Sequence, residues 1–173
     1  MAAAQTETHE RILRRNEEKW SAPLMDAGWT VLPSIILEKQ HALGLDPIDV
    51  NILMQLARHW WFNDNLPHPS KTTLAECMSV NPSTVRRRIA RMEKDGLIKR
   101  VPRYDQKHRG QTSNFYEFDG LIKAATPFAQ EAIATREERR AEDVIRRSRK
   151  KPKLIVNNTA PSPTIGKKGR KKK

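Results

Sequence analysis

The stretch NPSTVRRRIARMEKDGLIKR, residues 81–100, constrains the fold of this chain more than any other. Asn81 followed by Pro82 is typical of a helix start, because asparagine caps free N–H groups and proline suits the first turn. Apolar residues then recur at helical spacing and predict one buried face: Val85, Ile89 and Met92. Gly96 predicts the end of this helix. The helix must therefore pack on a core through a single face.

Two further helices are predicted before it. Asp46 is expected to cap a helix that runs to about Trp61, and Asp49 places a negative charge in its first turn. Ser70 is expected to cap a short helix over residues 71–78. Three residues separate this short helix from the next start, so the two helices must cross steeply as a helix-turn-helix pair.

A β-hairpin is predicted after the third helix. LIKRV and SNFYEF have the composition of strands, and the polar, basic segment PRYDQKHRGQT between them predicts a long loop. Such a hairpin beside a helical pair is the geometry of a wing. The fold class expected is therefore mainly α, an α+β winged helix with a three-helix helix-turn-helix core, a β-hairpin wing, flanking helices and a disordered basic tail.

The flanking segments are predicted from turn residues and composition. Pro33 is expected to open a helix that ends at Gly44, and another helix is expected from Pro127 to about Arg149. The domain organisation follows, in four segments: an N-terminal arm over 1–23, the winged helix-turn-helix domain over 24–122, a C-terminal helix over 123–149, and a disordered basic tail over 150–173.

The distribution of charge indicates a polyanionic partner. The formal net charge is +13, and residues 145–173 carry twelve basic residues and no acidic one. Residues 82–111 hold a second concentration, with ten basic and three acidic side chains. The tail predicts nonspecific contact with nucleic acid, whereas the second concentration needs an explanation of its own.

Other classes of protein are disfavoured by what the chain lacks. Its single cysteine, Cys77, excludes an internal disulfide and a multi-cysteine zinc site. The longest apolar run is far below 18 residues, so we expect no membrane span, and the N-terminus does not resemble a secretory signal. A cytoplasmic protein is expected.

The third helix presents a small, cationic face opposite its buried one. Steps of about 100° per residue place three groups of side chains: Ser83, Arg87, Ala90 and Arg91 away from the core; Thr84 and Arg86 on the flanks; Arg88 near the core edge. The DNA major groove admits one helix, and an arginine there can make two hydrogen bonds to guanine. Lys107 and Arg109 of the loop are expected to reach the backbone or minor groove.

The stretch LAECMSVNPSTVRRRIARMEKDGLIKR resembles the winged helix-turn-helix domain of bacterial regulators and of plasmid and phage replication proteins. The resemblance covers residues 70–118. The preceding lead-in helices are similar to those of the mobile-element members. Ser79 stands where many members have glycine, so a left-handed turn there would cost more than usual. The resemblance implies double-stranded DNA as partner and a DNA-reading role for five residues: Ser83, Thr84, Arg86, Arg87 and Arg91.

No catalytic set, metal site or cofactor is predicted. His59, His68 and Cys77 lack partners at metal-ligand spacing, and Trp60 and Trp61 are expected to pack at the core or its rim rather than stack on bases.

The function expected is sequence-specific DNA binding as a bacterial or mobile-element transcriptional regulator acting at the nucleoid. Accessory or initiator-type work in plasmid or phage replication is the alternative. A further alternative is a protein-binding winged helix whose tail alone contacts nucleic acid. A homodimer stays open, because the N-terminal helix or the helix after Pro127 could pair two copies, and neither shows sustained heptads.

Overall fold

The computed structural model describes residues 12, 14–105 and 110–149 of the chain. Residues 14–20 are helical, and two short helices follow, α1 (Ala22–Asp26) and α2 (Ser34–Glu38). α2 starts after Pro33 as predicted but ends at Glu38, six residues before the predicted stop. Turns then continue to Gly44, whose φ of +68° marks the reversal of the chain. This path buries the side chains of Leu43 and Leu45.

α3 (Pro47–Ala57) begins at the predicted cap, Asp46, which forms a reciprocal capping box with Asp49. The Asp46 side chain accepts hydrogen bonds from the N–H groups of Ile48 (2.9 Å) and Asp49 (3.1 Å). The Asp49 side chain accepts from the Asp46 N–H (2.9 Å), so each residue satisfies an N–H of the other. The helix ends at Ala57, four residues before the predicted end, and Trp60 stacks on Phe118 with ring centroids 5.0 Å apart.

α4 (Lys71–Met78) and α5 (Pro82–Lys94) form the predicted helix-turn-helix pair. The Ser70 side chain accepts from the Thr73 N–H, and the Asn81 side chain accepts from the Ser83 N–H, so both predicted caps are present. The three residues predicted to line the buried face of α5 are fully buried: Val85, Ile89 and Met92. The predictions for both helices are therefore confirmed.

The turn between α4 and α5 uses a left-handed residue. Ser79 has φ 54° and ψ 40°, and the N–H of Val80 donates to the Ala75 carbonyl at 3.0 Å. α5 ends in the same hydrogen-bond pattern, but its left-handed residue is Gly96, with φ +72°. The same backbone turn is thus made once by serine and once by glycine.

We predict that Ser79→Gly stabilises the protein by about 0.5–1 kcal/mol. A left-handed serine costs roughly 1–2 kcal/mol, and part of the gain is lost because glycine is more flexible in the unfolded chain. Denaturant unfolding measures the change, and Gly96→Ser, the reverse exchange at the matched turn, should destabilise. A loss of stability in Ser79→Gly would contradict a strained turn.

The wing is an antiparallel hairpin. β1 (Lys99–Val101) pairs with β4 (Phe115–Glu117), with Arg100 opposite Tyr116. The segment predicted to be a loop contains two more short strands, β2 (Tyr104–Asp105) and β3 (Gly110–Gln111), which pair with each other. The prediction of an unpaired loop was therefore wrong for these four residues, because the hairpin continues beyond its first ladder.

α6 (Asp119–Ser148) begins eight residues before the predicted start at Pro127, which lies inside the helix. The segment before Pro127 is helical because it carries core residues: Leu121 and Ala125 are buried in the main core. Proline was expected to open the helix because it lacks an N–H group. Burial of the preceding turns outweighs that local signal.

A glycine near the start of α6 permits a close backbone contact. A Cβ atom on Gly120 would lie 1.8 Å from the carbonyl oxygen of Gly96, in the turn after α5. Next to this contact, the N–H of Leu121 donates to the Leu97 carbonyl at 2.7 Å. The start of α6 is thus held directly against the segment that leads from α5 into the wing.

The fold is a mainly helical winged helix-turn-helix. One hydrophobic core contains residues of the helices α2, α3, α4, α5 and α6, and also Tyr116 of β4 and Phe118 after it. The chain divides into two compact units, Met1–Ala134 and Thr135–Lys173, and the core described here lies in the first. The predicted tail over 150–173 and most of the predicted arm lie outside the described residues.

Within the part of the chain that the structure describes, none of the helices has the length and apolar content that crossing a membrane requires.

Candidate nucleic-acid interface

The outer face of α5 is the surface that the sequence singled out. On this face Ser83, Arg87 and Ala90 are exposed. On the flanks, Arg86 is exposed and Thr84 is half-buried. The buried face lies opposite and is fully enclosed by the core, which fixes how the helix is rotated. The small side chains of Ser83 and Ala90 leave room for close approach of a ligand to the helix.

Arg87 is an exposed cation on this face. Within the described ranges, neither Arg87 nor its neighbour Arg86 has a carboxylate partner. An arginine with no internal partner keeps all its N–H donors for a ligand, and its planar group suits the paired acceptors of a guanine edge.

Arg91 does not point away from the core as predicted. Its guanidinium pairs with Asp49, a fully buried carboxylate, and also donates to the Gly44 carbonyl at 3.0 Å. The prediction from angular spacing was wrong here, because a long side chain can bend toward a charge on a neighbouring helix. Arg91 is tied to the start of α3, and its predicted contact with DNA stays a prediction.

Arg88 lies at the core edge as expected and pairs with Asp46. Two of the four arginines of α5 therefore bind the capping box of α3, which joins the two helices through charge as well as apolar packing. The sequence contained no signal for this pairing, because the partners lie 42 residues apart.

The two carboxylates of the capping box differ in their pKa. Burial raises the pKa of Asp46, but hydrogen bonds from the Asp49 and Ile48 N–H groups and the charges of Arg88 and Arg91 outweigh it, so the pKa is lowered overall. For Asp49, burial is the stronger influence and its pKa is raised, despite the nearby arginines. At Asp49, burial thus disfavours the ionised form, and the charges of Arg91 and Arg88 favour it.

A second charged contact fixes the wing to α5. The Arg100 side chain on β1 donates from Nε to Glu93 Oε2 at 2.8 Å, and the Arg100 N–H donates to Glu93 Oε1 at 3.2 Å. The side-chain hydrogen bond from Arg100 lowers the pKa of Glu93, so this carboxylate stays charged at neutral pH. The first strand of the hairpin is thereby tied to the last turns of α5.

Lys71, at the start of α4, was not predicted to belong to this surface. Its side chain lines an open cleft that Arg86 of α5 and the wing segment around Ser113 also line. From the sequence, this segment predicted only a helix cap at Ser70. The proximity of Lys71 to α5 is a tertiary feature that no local pattern shows.

Some predicted features lie elsewhere. Lys107 and Arg109 are outside the described residues, so their predicted contacts with DNA stay predictions. Cys77 is exposed, and across residues 12, 14–105 and 110–149 no group of three or more metal-ligating side chains comes together. Trp60 packs in the rim of the core and Trp61 is exposed.

A known protein family matches the helical part of this domain. Residues 43–98 match the family model of a helix-turn-helix domain. The match contains α3, α4 and α5, together with the turn that leads into the wing. No curated protein matches the chain. The helix-turn-helix match supports DNA binding by this domain.

Several solved structures are similar to this chain. The N-terminal domain of DnaD protein from Geobacillus kaustophilus HTA426 is 19% identical, with a TM-score of 0.48, over 69% of this chain and 96% of that one. YusO protein from Bacillus subtilis is 17% identical, with a TM-score of 0.36, over 85% of this chain and 96% of that one. MarR is 17% identical, with a TM-score of 0.36, over 82% of this chain and 98% of that one.

Proposed function

We propose that this protein is a non-enzymatic, sequence-specific DNA-binding protein that inserts α5 into the major groove, with the hairpin beside it. The observation that carries the proposal is the outer face of α5. That face combines small exposed residues with an arginine that has no carboxylate partner among the described residues, and it lies opposite a fully buried face. This arrangement leaves the N–H donors of Arg87 available to a base edge in a groove that admits one helix.

The rigidity of the site supports reading of sequence rather than general attraction to charge. Arg88 and Arg91 hold α5 against α3, and Glu93 holds the wing against α5. A reading helix must keep a fixed orientation if its side chains are to discriminate between bases. The basic tail would add affinity that does not depend on sequence.

We propose transcriptional regulation on a bacterial chromosome or mobile element as the first use to test. Accessory work in plasmid or phage replication is the second. Selection from random duplexes, followed by mapping of the selected site, distinguishes them: a site at a promoter supports regulation, and repeated sites at an origin support replication. A site with two-fold symmetry would support a homodimer.

The reading role is tested by Arg87→Ala. We expect this variant to lose preference for the selected site over a scrambled duplex by about 1–3 kcal/mol for each base that Arg87 reads, measured by competition binding. Arg139→Ala, which removes the same charge from an exposed position on α6, should retain the preference. Unchanged preference in Arg87→Ala would reject the reading role.

Removal of residues 150–173 tests the alternative in which the tail alone binds nucleic acid. If α5 reads DNA, truncation should weaken binding to all duplexes alike and reduce the dependence on salt. Loss of all DNA binding on truncation, with no effect of Arg87→Ala, would instead favour a domain that binds protein.

A further inference from the structure

An open cleft of about 390 Å³ lies between the first turn of α4, the flank of α5 and the wing. Two basic side chains line it, Lys71 from α4 and Arg86 from α5. Hydroxyl groups line it too, including those of Thr72 and Ser113. It is distinct from the outer face of α5, on which Arg87 lies, because Arg86 is rotated about 100° from Arg87 around the helix.

The charges in this cleft are not balanced. Arg100 is near Lys71, but its charge is compensated by Glu93. No carboxylate in the described part of the chain pairs with Lys71 or Arg86. Burial is the main cause of the lowered pKa of Lys71; the charges of Arg100 and Arg86 lower it further, and the charge of Glu93 opposes them.

The chemistry of the cleft fits a phosphate group. Two cations from different helices can contact one phosphate from two sides, and hydroxyl groups can donate hydrogen bonds to its oxygens. The first turn of α4 contributes additional partial positive charge through the helix dipole. Because the cations are on the flank of α5, an anion bound there would lie beside a groove-inserted helix rather than beneath it.

We propose that this cleft holds one phosphate of the DNA backbone, clamped by Lys71 and Arg86, while Arg87 reads the bases. The assignment rests on the proposed function, because α5 in the major groove brings the backbone alongside the flank of the helix. It changes the role of Arg86 from reading to positioning. A phosphate contact fixes the register of the protein on the duplex and carries no sequence information.

The proposal is tested with full-length Lys71→Ala and Arg86→Ala, each checked for an unchanged thermal unfolding curve. We expect each variant to lose roughly tenfold in affinity for the selected and the scrambled duplex alike. The slope of log affinity against log salt should fall by about 0.9 for each phosphate that the variant no longer binds. Lys71→Arg, which keeps the charge, should retain most of the affinity.

A duplex scan identifies the phosphate itself. Each duplex in the scan carries one neutral methylphosphonate at a different backbone position. At the position that Lys71 contacts, the neutral group should weaken binding by the wild type but should not weaken binding by Lys71→Ala any further. The proposal would be overturned if Lys71→Ala bound DNA as tightly as the wild type, or if Arg86→Ala changed the base preference. Calorimetric titration with inorganic phosphate distinguishes a DNA phosphate from free phosphate as the ligand. If free phosphate bound at Lys71 but Lys71→Ala left the affinity for DNA unchanged, the backbone assignment would be overturned.

Arg87→Ala keeps this test separate from that of the proposed function. If Arg87→Ala abolishes preference while Lys71→Ala and Arg86→Ala bind as wild type, the cleft assignment is wrong and the proposed function stands. If the wild type shows no preference for any duplex, the reading role is wrong. Uniform losses in the two cleft variants would then still support a phosphate contact.

Discussion

Gly120→Ala should lower the free energy of unfolding by about 3 kcal/mol, although alanine is the better helix former. The added Cβ would lie 1.8 Å from the carbonyl oxygen of Gly96 and 2.8 Å from its carbonyl carbon. Because both are backbone atoms, α6 or the turn after α5 must move. That movement would also weaken the hydrogen bond from the Leu121 N–H to the Leu97 carbonyl.

Denaturant unfolding of Gly120→Ala measures this loss. Lys123→Ala, an exchange to alanine on the exposed side of the same helix, serves as the control and should change stability by no more than about 0.5 kcal/mol. Helix propensity alone predicts a gain for Gly120→Ala, so even the sign of the change is informative. A stabilised variant would show that α6 does not lie against the turn.

Arg91→Ala should cost about 2 kcal/mol at pH 7, because it leaves the buried Asp49 carboxylate without its closest cation. The expected cost is below that for a fully buried pair, since the Arg91 side chain is 39% exposed and Arg88 remains nearby. Removal of a positive neighbour should raise the already raised pKa of Asp49 further.

The penalty should therefore depend on pH. A carboxyl whose pKa is raised by folding stabilises the folded state below its ordinary pKa, and this contribution is lost as the pH rises through the folded pKa. Because the folded pKa of Asp49 should be higher in Arg91→Ala than in the wild type, the variant should lose more stability on the way to neutral pH. We expect the difference in unfolding free energy between wild type and Arg91→Ala to be largest near neutral pH and to shrink as pH falls toward about 4. Unfolding measured at several pH values, always against wild type, gives this difference directly.

Two controls accompany this measurement. Arg87→Ala, on the exposed face of the same helix, should be nearly neutral for stability at every pH. The double variant Arg91→Ala, Asp49→Asn should be less destabilised than the two single changes added together, because it removes both charges of the pair. A penalty for Arg91→Ala that is the same at all pH values would show that the ion pair is not its cause.

These results would separate the arginines of α5 into distinct roles. Arg88 and Arg91 orient the helix through the capping box of α3. Arg87 is exposed on the outer face, and Arg86 lines the cleft toward the wing. A variant that changes stability and a variant that changes DNA preference should therefore be different variants, although the residues are neighbours in the sequence.

The amino-acid sequence by itself determined the elements of the helix-turn-helix and their caps. Capping by Ser70 and Asn81, the buried face of α5 and the strands that form the wing's first ladder all depend on residues within a few positions of one another. Caps act on N–H groups in the adjacent turn, and a buried helical face repeats every three or four residues. Signals of this kind are complete within a short segment.

The tertiary structure alone decided the start of α6, the role of Arg91 and the cleft at Lys71. Each depends on groups far apart in the sequence, such as Arg91 and Asp49, which are separated by 42 positions. Helical spacing gives the direction of a Cβ atom but not the path of a long side chain, which bends toward whichever charge the packed helices bring within reach. Burial in the shared core likewise outweighs a local proline signal, because it removes apolar side chains from water over several turns.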